Sequence, residues 1–175
     1  MREVHPDKLA IVLYPDPVLR ETCQPVQQID EQVQAVARRM LELMHHAHGV
    51  GLAAPQVSLN WRLFVANPSG EPDDNRVFIN PTLVSLSRET ATQEEGCLSI
   101  PHVTAEITRP TGVTIRALDL QGQPFQLTSD ELPARVWQHE YDHLDGVLIT
   151  DRMTRVDRMA NKRALRELEA AHVKS

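Results

Sequence analysis

The sequence predicts an α+β fold in which antiparallel or mixed β-sheets pack around a central helix carrying H-E-x-x-H, with one helix toward the N-terminus and another at the C-terminus. Three observations support this. Apolar residues recur at helical spacing in only three stretches, near residues 31–48, 130–144 and 154–172. Segments rich in β-branched and aromatic residues follow one another through the middle of the chain, without the alternating helices that a parallel sheet requires. No repeat, low-complexity tract or linker interrupts the 175 residues, so residues 1–175 are expected to form one domain.

From the N-terminus, KLAIVLYP is the first expected strand, followed by a loop holding Pro15, Pro17 and Pro25. A helix of about 18 residues then starts after Asp30, which suits an N-cap. Val33, Val36, Ala37, Met40, Leu43, Met44 and Ala47 form its apolar stripe, and Gly49 suits its stop. GVGLAAPQ has too much Gly and Pro for a regular element. RLFVANP, RVFINPTLVSL and GVTIRAL read as strands, the last joined through the turn DLQGQP to FQLTSD as a hairpin. A second helix is expected from Asp130 to Leu144, with Asp130 as N-cap, Pro133 in the first turn and Gly146 just past the end. A third, from Thr154 to His172, is expected to place Val156, Met159, Ala160, Ala164, Leu168 and Ala171 on one face, with basic residues around it.

Composition narrows the functional classes. Hydrophobic residues at 41% and charged residues at 24% are ordinary for a globular protein, and no apolar run approaches the roughly 18 residues of a membrane span. The first residues lack the apolar core of a secretory signal, and Glu3, Asp7 and Asp16 argue against an acid-poor transit peptide, so a cytoplasmic location is expected. Two cysteines, Cys23 and Cys97, are too few for a disulfide framework; in a reducing compartment such a cysteine reads as a ligand or a nucleophile. A net charge of −6 speaks against DNA binding. Yet residues 151–175 carry seven Lys or Arg against four acids, a local +3 that leaves −9 for the rest.

The chemistry concentrates in QHEYDHLDG, residues 138–146. Four residues apart on a helix, His139 and His143 share a face and can point at one metal ion. Glu140 lies about 100° round from His139, beside such an ion, where it can move protons to and from a bound water. Chance produces H-E-x-x-H in roughly 3% of chains of this composition, so two unrelated surface histidines are the competing reading. The extended protease pattern fails, because Ile149 stands where a third histidine would follow Gly146. The remaining ligand candidate is Cys97 in EEGCLSIP, placed in a loop between strands, after a glycine that permits close backbone approach and before Leu98, whose N–H would be free. One thiolate with two imidazoles leaves an open position for water, as in catalytic sites. By itself Cys97 also reads as a small buried hydrophobe.

GVGLAAPQ (49–56), EGCLSIP (95–101) and QHEYDHLDG (138–146) together resemble, in order and separation, the three signature segments of peptide deformylase. The resemblance implies removal of the formyl group from the N-terminal formyl-methionine of newly made bacterial or organellar proteins, so the substrate would be an N-formyl-methionyl nascent polypeptide. It implies one divalent metal ion on Cys97, His139 and His143, typically Fe(II), with Zn, Ni or Co able to substitute. Glu140 would then be general base and acid, and Gln56 and the Leu98 N–H would donate to the developing oxyanion. Gly49, Val50 and Gly51 would form a narrow wall at the formyl group, Val50, Leu132 and Val136 would line the methionine pocket, and Glu95 would order the substrate loop around Cys97. Arg109 and Asp142 are expected to pair and fix the helix against the sheet.

One departure stands out. Some family members carry a basic residue after the SIP segment to hold the peptide, whereas HVTAE places Thr104 there, which leaves the grip weaker or supplied by Arg135. His45, His46 and His48 read as a solvated helix end or a second metal site, and Trp137 and Tyr141 as packing residues. The basic third helix reads either as a cap over the core or, as in related bacterial enzymes, as a docking element for ribosomal RNA.

Overall fold

The computed structural model describes residues 4–173. A five-stranded antiparallel sheet runs in the order β1 (Gly51–Ala53), β2 (Leu63–Ala66), β3 (Arg76–Leu86), β6 (Val113–Leu118), β7 (Pro124–Ser129). A separate hairpin joins β4 (Thr90–Cys97) to β5 (Ile100–Pro110). The period of two in β-strands explains what covers each sheet. Leu52, Leu63 and Val65 face α1 (Glu31–His46) and its stripe of Val33, Val36, Met40 and Met44. Their neighbours Ala53, Phe64 and Ala66 face the opposite way, onto Ala134, Val136 and Trp137 of α2 (Leu132–Leu144). Phe64 stacks on Phe78 at 4.5 Å between centroids, with Trp137 tilted against Phe78 at 6.0 Å. β1 and β2 are therefore buried on both faces, which is why they lack an alternating pattern.

The hairpin alternates instead. Val103, Ala105 and Ile107 point inward while Thr104, Glu106 and Thr108 face solvent. That inner face is covered by Leu19 and by Leu148, Ile149, Met153 and Leu165 from the C-terminal elements α3 (Ile149–Arg152), α4 (Arg155–Ala160) and α5 (Lys162–Val173). α2 touches both sheets and so sits between them. None of the helices described is long and apolar enough to cross a membrane.

Helix ends explain several boundaries. Asp30 caps α1 by accepting a 3.0 Å hydrogen bond from the Val33 N–H. At the other end the left-handed residue is His48 (φ 56°), not Gly49, and the bonds from Gly49 N–H to Met44 C=O and from His48 N–H to His45 C=O close a Schellman motif. α2 closes the same way through Gly146 (φ 71°), but its N-cap is Glu131, not Asp130. The expected strand KLAIVLYP forms no ladder; Val12 and Tyr14 each donate to separate loop carbonyls, of Gln56 and Ser99. The expected single C-terminal helix starts where expected, with Thr154 as the N-cap of α4, but is interrupted at Asn161. Its buried face holds Ala164, Leu165 and Leu168, while Val156 and Met159 are each 77% exposed. Lys174 of the basic tail lies outside the described residues.

Candidate metal centre

α2 supplies two imidazoles and the β4–β5 hairpin supplies the thiol. His139 and His143 lie one turn apart with their rings edge to face, centroids 5.1 Å from each other. Cys97, the last residue of β4 and not a residue of a free loop as expected, brings its Sγ to 3.4 Å from His143 Nε2. One ligand atom from each of Cys97, His139 and His143 lies within 4.8 Å of the other two. A tetrahedral cation with S and N ligands separates them by roughly 3.5 Å, so the donor set and its spacing fit a divalent ion. Among the described residues this is the one group of three such donors, and His45 instead meets Asn75 Oδ1 at 2.7 Å.

Glu140 is 4% exposed and its Oε2 has no hydrogen-bond partner among the described residues. Burial pushes its carboxyl up to about 7, opposed by the charges of His139 and Arg109. A group poised near neutrality can both take and return a proton. The side chain occupies space left open by Gly51, where an added Cβ would lie 2.8 Å from Glu140 Cγ and Cδ. Gly51 thus makes room for the carboxylate as well as walling the cleft.

Beneath the ligands lies a buried ionic cluster. Glu95 accepts two hydrogen bonds from Arg109, at 2.6 and 2.9 Å, one from Arg135 at 2.7 Å and one from His139 Nδ1 at 3.0 Å. Burial would raise the Glu95 carboxyl, but the bonds from His139 and Arg109 outweigh it and hold the group well below the usual carboxylate range. Burial opposes charge on His139 too, yet its bonds to Cys97 and Glu95 raise it; burial and the charges of His139 and Arg109 lower His143. The His139 ring is oriented by this carboxylate, the usual outer partner of a metal-bound histidine. Glu95 lines the cleft, and all of these bonds turn its carboxylate toward the protein, where it orients His139. Arg135, which also lines the cleft, donates to Glu95, the Ile107 carbonyl and the Ala91 carbonyl. The expected pair of Arg109 and Asp142 is present at 2.8 Å.

Gln56 is buried on a 3₁₀ turn, its orientation set by the Ala53 N–H donating to Oε1 at 2.8 Å and by Nε2 donating to Ser99 Oγ at 3.1 Å. Nε2 also faces Cys97 Sγ at 3.6 Å. Ser99, which sequence reasoning passed over, is therefore what aims the Gln56 amide; its only signal is adjacency to Cys97. Leu98 follows Cys97 at the turn, packed so closely that a Cβ on Gly49 would meet its Cδ1 at 2.6 Å. Gly49, Val50, Gly51, Gln56, Leu98 and Glu140 all line one cleft of about 490 Å³ that also reaches Cys97 and His139. Val136 and Leu132 complete it, the first buried and shared with the core, the second 51% exposed at the rim.

Residues 8–159 match the family described as Polypeptide deformylase. Peptide deformylase 1B, chloroplastic/mitochondrial, of Arabidopsis thaliana is 45% identical over 148 residues, 83% of this chain and 54% of the plant protein, so this chain spans about half the length of that relative. Peptide deformylase of Chromohalobacter salexigens is 41% identical over 165 residues, 94% of this chain and 95% of that one. A crystal structure of peptide deformylase from Plasmodium falciparum superposes with a TM-score of 0.91 at 36% identity, covering 95% of this chain and 98% of its own. With a family match that takes in all three signature segments, and relatives this similar over most of its length, the chain belongs to the polypeptide deformylase family.

Proposed function

We propose that this chain, acting as a single catalytic domain, hydrolyses the N-formyl group of formyl-methionine at the start of newly made polypeptides. The observation that carries the reading is the convergence of Cys97, His139 and His143 at a cleft lined by Cys97, His139 and the buried Glu140, whose Oε2 has no hydrogen-bond partner among the described residues. A divalent cation on these three residues would supply Lewis acidity, polarising the formyl carbonyl and making water more acidic. Glu140 takes the proton of the attacking water and returns it to the departing amine. Gln56 Nε2, aimed by Ala53 and Ser99, and the Leu98 backbone N–H donate to the carbonyl oxygen as it becomes negative. Gly49 to Gly51 keep that end narrow, and Val50, Leu132 and Val136 receive the methionine side chain.

Fe(II) is the ion we assign, with Zn, Ni or Co able to substitute; a single thiolate and two imidazoles suit all of these. Both cysteines are free, which fits the reducing cytoplasm of a bacterium. The test offers anaerobically purified protein formyl-Met-Ala-Ser and acetyl-Met-Ala-Ser. Formate release from the first with little action on the second supports the reading, and cleavage of internal peptide bonds overturns it. Metal analysis and the rate of inactivation in air test the choice of iron.

Docking of the C-terminal segment on ribosomal RNA is supported by Val156 and Met159, which stand exposed among Arg155, Lys162 and Arg163. Reversing the charges of Arg155, Lys162 and Arg163 is expected to abolish ribosome co-sedimentation at low salt without changing hydrolysis of the tripeptide.

A further inference from the structure

We propose that Arg152, outside the cleft at the end of α3, is a positioning residue for the metal ligand His139, acting through a relay of four ionic contacts. The inference rests on the metal site assigned above. Arg152 grips Asp142 with two parallel hydrogen bonds, Nε to Oδ2 and Nη2 to Oδ1, both 2.6 Å. Asp142 Oδ2 also accepts from Arg109 Nη1 at 2.8 Å. The other edge of the same guanidinium, Nε and Nη2, clamps both oxygens of Glu95, and Glu95 Oε2 receives His139 Nδ1. A guanidinium is planar and rigid, so fixing one edge fixes the other. The orientation of Asp142 therefore sets the plane of Arg109, that plane sets the Glu95 carboxylate, and the carboxylate sets the rotation of the His139 ring toward Cys97.

Exposure distinguishes Arg152 from an ordinary surface charge. Its side chain is 42% exposed, and most such pairs contribute little. Here, however, the acceptor is 13% exposed and is shared with an arginine that is 3% exposed, so the outermost link holds an interior network in register. The geometry of the fork matters as much as its charge: Asp142 Oδ1 has Arg152 as its partner while Oδ2 is divided between two arginines. Without Arg152 the carboxylate is free to rotate about its Cβ bond and Arg109 loses its fixed outer contact. Because α3 belongs to the segment that covers the β4–β5 hairpin, the relay ties the seating of that segment to ligand geometry.

The test measures zinc affinity by chelator competition and the visible spectrum of the cobalt-substituted protein, alongside thermal unfolding, for the parent, R152M, R152K, E95Q and the double variant. Loss of a partner directly behind a ligand typically weakens metal binding 10- to 100-fold, so E95Q is expected in that range. R152M, three contacts further out, is expected to lose about three- to tenfold with a shifted cobalt spectrum. R152K keeps the charge but not the fork and is expected between R152M and the parent. If Arg152 works through Glu95, R152M adds no further loss in the E95Q background. R152M with parental zinc affinity and cobalt spectrum overturns the relay even if its melting temperature falls, and so does a loss that adds fully to that of E95Q. If R152M does not fold, R152K decides the matter by the same comparison. A parent chain that binds no zinc, or binds it equally well as C97S, sinks the metal site itself and is distinguishable from both.

Discussion

Replacing Gly51 with alanine isolates the contact that seats Glu140, the proposed general base. Gly51 does not need its glycine for backbone reasons, because its φ is outside the left-handed region, so the methyl acts through space alone. Built in place, that methyl carbon lies 2.8 Å from Cγ and Cδ of Glu140 and against Oε1. Carbon atoms settle at about 3.5–4.0 Å, so the carboxyl must retreat by about 1 Å. Glu140 is anchored on α2 by its backbone, so the retreat displaces the carboxylate from the place the proposed proton transfer requires. A misplacement of about 1 Å costs on the order of 100-fold in rate, or about 2.7 kcal/mol of barrier. G51A is therefore expected to lose about 100-fold in kcat for formyl-Met-Ala-Ser while binding zinc as the parent does, since the three atoms nearest the new methyl all belong to Glu140 and not to a candidate ligand. G49A is the built-in comparison: the three atoms nearest its methyl all lie in the flexible end of the Leu98 side chain, and it is expected to lose less than G51A. Parental kcat in G51A, or a larger loss in G49A than in G51A, would refute the packing argument.

Three further outcomes are expected. E140Q, which keeps the shape of the side chain but cannot accept a proton, should lose 100- to 10,000-fold in kcat with metal content unchanged, as measured by formate release and metal analysis. Burial pushes the Cys23 thiol up to about 12, so its neutral form is favoured in the folded state. The stability this brings is complete below the thiol's ordinary range near 8.5–9 and is lost as pH rises toward 12; urea unfolding should show the parent losing about 1–2 kcal/mol between pH 8 and 10 that C23A does not lose. G146A forces a left-handed residue and sets a methyl against the Arg20 backbone, with the Arg20 carbonyl carbon at 2.8 Å, and should destabilise by about 3 kcal/mol in thermal or denaturant unfolding.

How much of this was legible in the chain follows from where the determining forces lie. α1 and α2 announced themselves because their apolar stripes and capping residues are local, down to the Asp30 cap and Gly146. The hairpin of β6 and β7 and the full extent of β3 were equally visible, having alternation and turn residues of their own. β1 hid within a Gly-rich stretch because its three residues become a strand only by pairing with β2. β4 hid because TATQEEGC is polar, its stability coming from β5 across the hairpin rather than from its own residues. KLAIVLYP misled in the opposite direction: strongly β-prone, it finds loop carbonyls instead of a neighbouring strand. At the site, the three candidate ligands that the structure brings together, and Glu140 beside them, were proposed from residue type and spacing. Of the outer groups, the Arg109–Asp142 pair was expected from the resemblance alone, and the links from Glu95 to His139 and from Arg152 to Asp142 were not legible, since the contacts of this network span up to 44 positions.

The division of the candidate ligands between the β4–β5 hairpin and α2 would make an ion bound there a clasp between parts of the molecule that otherwise adhere mainly through packing and the buried ionic cluster. Any opening that separates hairpin from helix must surrender the cation, so free metal shifts the folding equilibrium by mass action, by about 2.7 kcal/mol at a hundred times the dissociation constant. Chelation would accordingly hasten proteolytic nicking near residues 97–100 well before it loosened α1.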